Sequence, residues 1–348
     1  MPDADPPRRV TIRDVAAAAR VSPATVSLAL NGRGTISAAT AAEVTAVAQR
    51  LGYRPSRAAR ALRTSRSGNL AIALSPLETA TVGEGGTSVE YPMRLLHAAA
   101  RAATAADHRL FVAPPLRTAE DLADLDGVIV CDPVVGDPQL ELVADAGVPL
   151  VTIERDAGRP DERGHANCDN ARAMRDLLDH LADRGATRIA LVAWEWDVAW
   201  TTDSVDAYRA WSAEHGRTAT VHYTADARRE HATAREHAAA LLAGPDAADA
   251  IIAMPEHYPA AIVRAARDAG LDVPGDVLVA AAMDGVAART NDPPVTAIDL
   301  RPDDVGEAAV MLVLRRIAGE RDAGPAILTS TLRVRASTLR VPEDGPAM

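Results

Sequence analysis

From residue 69 onward the chain alternates short β-branched runs with alanine-rich stretches of helical period, and it does so in two successive series. The first series has runs at 70–74, 110–113, 127–131 and 149–153, with helical stretches around 91–106 and 138–146. The second has runs at 188–193, 219–223, 250–253 and 277–282, again separated by helical stretches. Strands that are apolar on both faces and separated by helices belong to parallel sheets covered on both sides. Two such series in succession predict two similar doubly wound lobes facing a cleft.

A different pattern precedes them. Residues 10–32, VTIRDVAAAARVSPATVSLALNG, read as two short helices joined by a tight turn. Thr11 is placed to cap the first, with Asp14 three residues on as a capping-box partner. Val15, Ala16 and Ala19 form its apolar face, and Val21 sits at the turn. Ser22 and Pro23 open the second helix, where a residue without an N–H costs nothing. Val26 and Leu30 face inward and Asn31-Gly32 end the helix. Pro23, Ala24, Thr25 and Ser27 then project outward, as on a helix that enters a major groove. A third helix from Ser37 to about Arg50 has Val44, Val47 and Leu51 as core and Gly52 as its C-terminal stop. After Pro55-Ser56, Arg57, Arg60 and Arg63 line one face of a short segment with Leu62 beside them. So short a helix is marginal alone. An apolar wedge among arginines suits a widened minor groove.

Charge follows the same division. Residues 1–66 carry 11 arginines against 4 carboxylates, a surplus of seven, whereas the rest carries 26 against 44, a deficit of eighteen. All 37 basic residues are arginine. A basic head on an acidic body fits a polyanion-binding module whose body the polyanion repels; a basic run that is merely a solvated face is the alternative.

The spacing of Thr11, Asp14-Val15-Ala16, Val21-Ser22, Thr25-Val26-Ser27 and Asn31, then Leu51-Gly52-Tyr53, Pro55, Ala59 and Leu62, resembles the LacI/GalR family of bacterial transcription regulators. The resemblance implies an all-α helix-turn-helix headpiece with a hinge helix, followed by a two-lobed α/β core like periplasmic binding proteins. Its boundaries would be a lead-in at 1–9, the headpiece at 10–54 and the hinge at 55–67. Lobe one would comprise 68–183 with 295–324, lobe two 184–294 with 325–340, and the tail 341–348; the chain would cross between lobes near 184, 294 and 325. By the same likeness, DNA contacts fall to Thr11, Ser22, Pro23, Ala24, Thr25, Ser27, Leu28, Asn31, Tyr53, Ser56, Arg57, Ala59, Arg60 and Leu62. Leu62 would be the lever in the minor groove and Ala59 its packing neighbour. Leu28 stands where many members carry an arginine, and Pro23 and Ala24 cannot hydrogen-bond a base edge. Sequence readout then leans on Thr25, Ser27, methyl contacts and DNA shape.

In the core, the resemblance places Tyr91, Asp169, Trp196, Ser204, Met254 and Asp284 at the effector cleft. Ser204 lies where an arginine often clamps the effector, and Met254-Pro255 replaces a frequent Asn-Asp pair. Trp194, Trp196 and Trp200 are three of four tryptophans, and an aromatic at a cleft edge stacks on sugar rings. Each assignment has a plain alternative: Asp169 as a helix cap, Asp284 as a turn residue, the tryptophans as core.

Two cysteines do not make a disulfide framework. No apolar run reaches the roughly 18–20 residues that span a bilayer, and 1–9 lack a signal-peptide core. The expectation is a cytoplasmic protein without membrane contact. His231 and His237, six apart, share no helical face for a metal. No nucleophile elbow, phosphate loop or Cys/His cluster occurs, so neither cofactor, metal nor catalysis is expected. The reading is an operator-binding repressor, homodimeric with tetramer left open, whose partners are duplex DNA and a small effector such as a sugar. Its rivals are a regulator of the same fold without an effector response, a solute-binding receptor and a doubly wound enzyme.

Overall fold

A computed structural model describes residues 10–31, 36–53, 66–74, 90–158, 164–224, 230–256, 258–320 and 323–340. The chain divides into two compact units, Met1–Ser67 and Gly68–Met348.

The first unit holds α1 (Ile12–Ala18), α2 (Pro23–Asn31) and α3 (Ala38–Arg50). Each has a polar start of its own. The Asp14 carboxylate accepts from both the Thr11 N–H and hydroxyl at 2.7 Å. Ser22 Oγ accepts the Thr25 N–H at 3.0 Å, and Ser37 Oγ that of Thr40 at 3.1 Å. These bonds satisfy donors a helix start leaves without partners. The core consists of Val15, Ala16, Ala19, Val26, Val44, Val47 and Ala48, with Tyr53 and Leu30 against it. Leu51, expected in this core, is 36% exposed. It is the C-cap of α3, in register with the face of Val44, Val47 and Ala48 but at the rim of the core and not in it. Gly52 has φ +66°, so the chain reverses there and Tyr53 returns its N–H to the Ala48 carbonyl at 2.9 Å.

The second unit contains two six-stranded sheets. The first comprises β1 (Asn69–Ala73), β2 (Arg109–Ala113), β3 (Gly127–Cys131), β4 (Leu150–Ile153), β5 (His165–Cys168) and β11 (Ala326–Leu328), in the order β11-β5-β4-β3-β1-β2. The second comprises β6 (Ile189–Trp194), β7 (Thr220–Thr224), β8 (Ala250–Ala253), β9 (Leu278–Ala281), β10 (Thr296–Asp299) and β12 (Thr331–Arg333), in the order β12-β10-β9-β8-β6-β7. All pairings are parallel except β10 with β12. The two sheets therefore repeat one doubly wound order. Each has a topological switch point, β1/β3 in one and β6/β8 in the other, outside whose carboxyl ends ligands bind.

Helices α4 (Glu90–Ala105) and α5 (Pro138–Asp145) serve the first lobe. The second is covered by α6 (Asn170–Asp183), α7 (Ala199–Glu214), α8 (Glu230–Leu241), α9 (Tyr258–Asp268) and α10 (Val286–Thr290), while α11 (Pro302–Ile317) lies on α4 and under β3, β4 and β5. On α4, Leu95, Ala98, Ala99 and Ala103 recur at helical spacing and are buried. One apolar cluster runs from β1, β3 and β4 through α11 to α6, α7 and β6.

The crossings depart from the expected 184, 294 and 325. Helix α6 packs on α7 and β12, so the first crossing follows β5, near 169. Strand β10 pairs with β9 before the chain returns near 300, and β11 pairs with β5 before the last crossing near 330. Helix α6 buries Ala173, Met174, Leu177, Leu178 and Leu181, a stripe that only a neighbour in the second lobe satisfies. The three crossings are tied to one another. The Cys168 thiol donates to the Leu300 carbonyl at 3.1 Å, the Asp169 N–H to that of Leu328 at 3.1 Å, and an Arg301 guanidinium nitrogen to that of Thr329 at 3.3 Å. Burial pushes the Cys168 thiol up to about 12, so it remains a donor.

Gly306 marks the closest approach of α11 to α4: a Cβ there would drive into the Leu95 carbonyl oxygen and lie 3.3 Å from the Ala99 nitrogen. Both obstacles are backbone and neither can swing away. Gly306→Ala is expected to cost about 1–3 kcal/mol by overpacking, read as a lowered melting temperature with unchanged DNA binding at low temperature.

Candidate functional site: a groove-reading headpiece and an inter-lobe cleft

On the headpiece, α2 presents Ser22, Pro23, Ala24 and Leu28 as exposed residues, with Thr25 and Ser27 half-buried between them. Leu28 is 40% exposed. The helix carries no charged residue; Arg13 and Arg20 are exposed on and after α1. Thr25 Oγ1 lies 2.9 Å from Ser22 Oγ, so these two hydroxyls are ordered as a pair. The arrangement offers methyl groups and the hydroxyls of Ser22, Thr25 and Ser27 on this side, and no guanidinium. Thr11 is exposed, its hydroxyl held by Asp14. Tyr53 is half-buried against the headpiece core. Helix α2 ends at Asn31, whose side chain lies outside the described residues, as do Ser56, Arg57, Ala59, Arg60 and Leu62.

In the core, the carboxyl edges of the two sheets face each other across ion pairs. Arg155, just after β4, binds Asp203 on α7 through both Nε (3.2 Å) and a terminal nitrogen. Glu90, opening α4, binds Arg289 on α10 at 2.7 Å. Within the second lobe Asp284 accepts from Arg335 at 2.8 Å and lies 3.8 Å from Arg289. The guanidinium that could clamp a ligand thus comes from the lobe opposite Ser204, and a carboxylate of this chain already holds it.

Beside Arg155 is a pair of carboxyls with no such partner. Asp132 follows β3 and Glu154 follows β4, and both take positive φ, +43° and +62°. Glu154 is 6% exposed. Its Oε2 accepts from Asn170 Nδ2 at 2.7 Å and Asn167 Nδ2 at 3.3 Å. Burial first, then the Asp132 charge, push the Glu154 carboxyl from 4.5 up to about 8, against the two amide bonds that pull it down. Burial also raises Asp132.

A model of bacterial regulatory proteins of the lacI family matches residues 11–56, and one of a periplasmic binding protein-like domain matches 178–338. The HTH-type transcriptional regulator CelR of Thermobifida fusca is 30% identical over 350 residues, covering 95% of this chain and 98% of that protein. The chain belongs to the LacI family. Catabolite control protein A of Staphylococcus epidermidis is 23% identical over 342 residues, covering 94% and 99%. A structure of a CelR–cellobiose complex has a TM-score of 0.68 at 26% identity, covering 94% of this chain and all of that one. The lac repressor dimer bound to operator and the anti-inducer ONPF has a TM-score of 0.75 at 21% identity, covering 95% and 100%, a likeness of fold.

This LacI-family chain is accordingly a DNA-binding transcriptional regulator with a helix-turn-helix head and a periplasmic-binding-protein-like core. The cleft residues expected from the sequence fare unevenly. Asp169 is exposed and caps α6, accepting the Arg172 N–H at 3.0 Å. Met254 is wholly buried in the core and offers no surface, because the apolar run of β8 continues through it. Ser204 is buried on α7, Tyr91 is half-buried against the core, and Asp284 is held by Arg335. Trp196 is half-buried after β6, and Trp194 keeps a buried indole N–H with no hydrogen-bond partner. The structure also gathers Asp132, Glu154, Arg155, Asn167, Asn170 and Asp203, none of which the sequence singled out. The available signal was position: two carboxyls immediately after adjacent strands, at the sheet edge where ligands bind. Among the described residues no helix is long and apolar enough to cross a membrane.

The raised Glu154 carboxyl carries a stability signature. The folded chain holds this proton more tightly than the unfolded one, so stability is lost as pH rises from about 4.5 to about 8. Gln at 154 keeps an acceptor for both asparagines and cannot ionise. Glu154→Gln is expected to melt higher than the parent at pH 9, with the gap shrinking towards pH 5. Calorimetry at the two pH values checks this; a gap independent of pH would refute it.

Proposed function

We propose that this regulator is a repressor that binds a roughly palindromic operator as a homodimer and releases or tightens its grip when a small molecule, a sugar or related metabolite, enters the inter-lobe cleft. The observation that carries it is the facing of two sheet edges of identical strand order across ion pairs between Arg155 and Asp203 and between Glu90 and Arg289. A ligand that prefers one lobe arrangement shifts the spacing of the chain segments that lead to the two heads. The CelR relative solved with cellobiose supports a sugar class. Apolar residues exposed on adjoining elements of the first lobe, Met93 on α4, Phe111 and Val112 on β2 and Met311 on α11, support pairing of two copies there. Two-fold symmetry in the protein calls for a two-fold site in the DNA.

A second reading, a regulator of the same fold that no longer answers a small molecule, draws on the wholly buried Met254. A thermal-shift screen of the full-length chain against sugars, polyols, nucleosides and amino acids separates the two, because a ligand of the folded state raises the melting temperature by mass action. A ligand that also alters operator affinity supports the first reading, and silence favours the second.

DNA reading makes its own expectation. Operator binding should weaken steeply with salt as arginine–phosphate contacts release counterions. Leu28→Ala should weaken operator binding several-fold, roughly 1 kcal/mol, and leave binding to unrelated DNA and its salt slope unchanged. Fluorescence anisotropy on both duplexes over a salt series checks this.

A further inference from the structure

We propose that the effector presents a cationic amine, and that Asp132, Glu154 and the side-chain amide oxygens of Asn167 and Asn170 receive it; this rests on the effector reading above. Three guanidiniums stand at the cleft among the described residues, and each is matched by a carboxylate of the chain itself: Arg155 by Asp203, Arg289 by Glu90 and Asp284, Arg335 by Asp284. Asp132 and Glu154 make no ion pair of this kind: the Arg155 guanidinium feels the Glu154 charge, but its hydrogen bonds go to Asp203. Asn167 and Asn170 are 6% and 3% exposed, and both turn their NH2 groups onto Glu154 Oε2. Their Oδ1 atoms are buried without hydrogen-bond partners, and each belongs to the same planar amide that meets Glu154. A buried acceptor left unmatched costs about 1–3 kcal/mol, so these oxygens favour a donor-rich guest.

The census of the subsite is therefore acceptors and negative charge. An ammonium supplies three donors and no acceptor, together with the missing charge. A phosphate or carboxylate would face Asp132, Glu154 and Asp203 at once. The charged and titratable groups facing Glu154 are Asp132 at the end of β3, Asp203 on α7, Arg155 and Asp156 beside it, and the Cys168 thiol on β5. Because Glu154 titrates near 8, it holds its proton at pH 7 before binding. On binding, the ammonium keeps its own protons, the carboxyl becomes a carboxylate, and the carboxyl proton leaves to solvent.

Isothermal titration of the full-length chain at pH 7 tests this with matched pairs: glucosamine against glucose, galactosamine against galactose, and the fully deacetylated chitosan disaccharide against cellobiose, with glucose 6-phosphate and gluconate as anionic probes. The expected result is one amine that binds at least tenfold tighter than its hydroxyl partner. Its apparent enthalpy should differ between two buffers of unlike ionisation enthalpy, which reports proton release. Glu154→Gln, which keeps the shape and the amide bonds, should remove the tenfold preference while circular dichroism shows it folded, and Asp132→Asn should weaken it. A hydroxyl or anionic partner that binds equally or more tightly overturns the amine class and leaves the effector reading standing. Amine binding unchanged in both variants also overturns it. No binding by any compound, in a chain that still binds its operator, overturns the effector reading and the amine class together.

Discussion

The three crossings between the lobes set what the core can do. Cys168–Leu300, Asp169–Leu328 and Arg301–Thr329 bind each crossing to another within one small region. A thiol that stays protonated and a backbone N–H are donors no ordinary change of pH removes. Arg301 takes a left-handed conformation, φ +50°, at the start of α11, where its own N–H returns to Asp299 at 2.9 Å. With separation at the crossings so opposed, rotation about them is the inexpensive motion left to the lobes. The ion pairs Arg155–Asp203 and Glu90–Arg289 span the lobes at the cleft, and all four side chains keep between a fifth and two fifths of their surface in water. Such pairs are worth about 0.2–1 kcal/mol each. A hinge with tight ties and a weak latch is one that a ligand of modest differential affinity can reset.

The central strands were legible because burial on both faces leaves no polar alternation to blur them, whereas the edge strand β2 exposes Phe111 and Val112. The run at 127–131 is β3 and the run at 250–253 is β8, residue for residue. The lobe boundaries were less legible, because a crossing leaves no composition mark: β10 and α6 look alike whichever sheet they serve, and only pairing to β9 and packing on α7 assign them. Leu51 shows the same limit on a smaller scale. Its apolar character and its helical register with Val44 and Val47 are plain, but at the C-cap of α3 it lies at the rim of the core and is partly exposed.

The cleft resisted sequence reading for an electrostatic reason. Asp132 and Glu154 look like solvated loop carboxylates in a chain with 48 acids, and nothing local distinguishes them from the acids that do face water. Their character comes from the strands that bury them and from Asn167 and Asn170, which arrive from β5 and α6. Of the two aspartates a motif does pick out, Asp169 caps α6, and Asp284 gives one oxygen to Arg335 while its Oδ1 stays buried without a hydrogen bond. A motif identifies a residue type at a position; whether its lone pairs are free depends on partners far away in sequence.

The two ends of the molecule divide their physical work in opposite senses. The headpiece has no charged residue on α2, and its arginines stand elsewhere in the basic segment; phosphate attraction and base reading are separable tasks in such proteins. The cleft keeps two carboxyls where burial penalises their charge, with backbone at positive φ under both. Non-glycine residues in that region cost of order 1 kcal/mol each, and unpaired buried charge costs more. Apolar residues at 132 and 154 would remove the cost of burying these carboxyls, a cost of the kind that functional sites retain in exchange for binding. The acid pair is thus best understood as half of an interaction whose other half is brought by the guest.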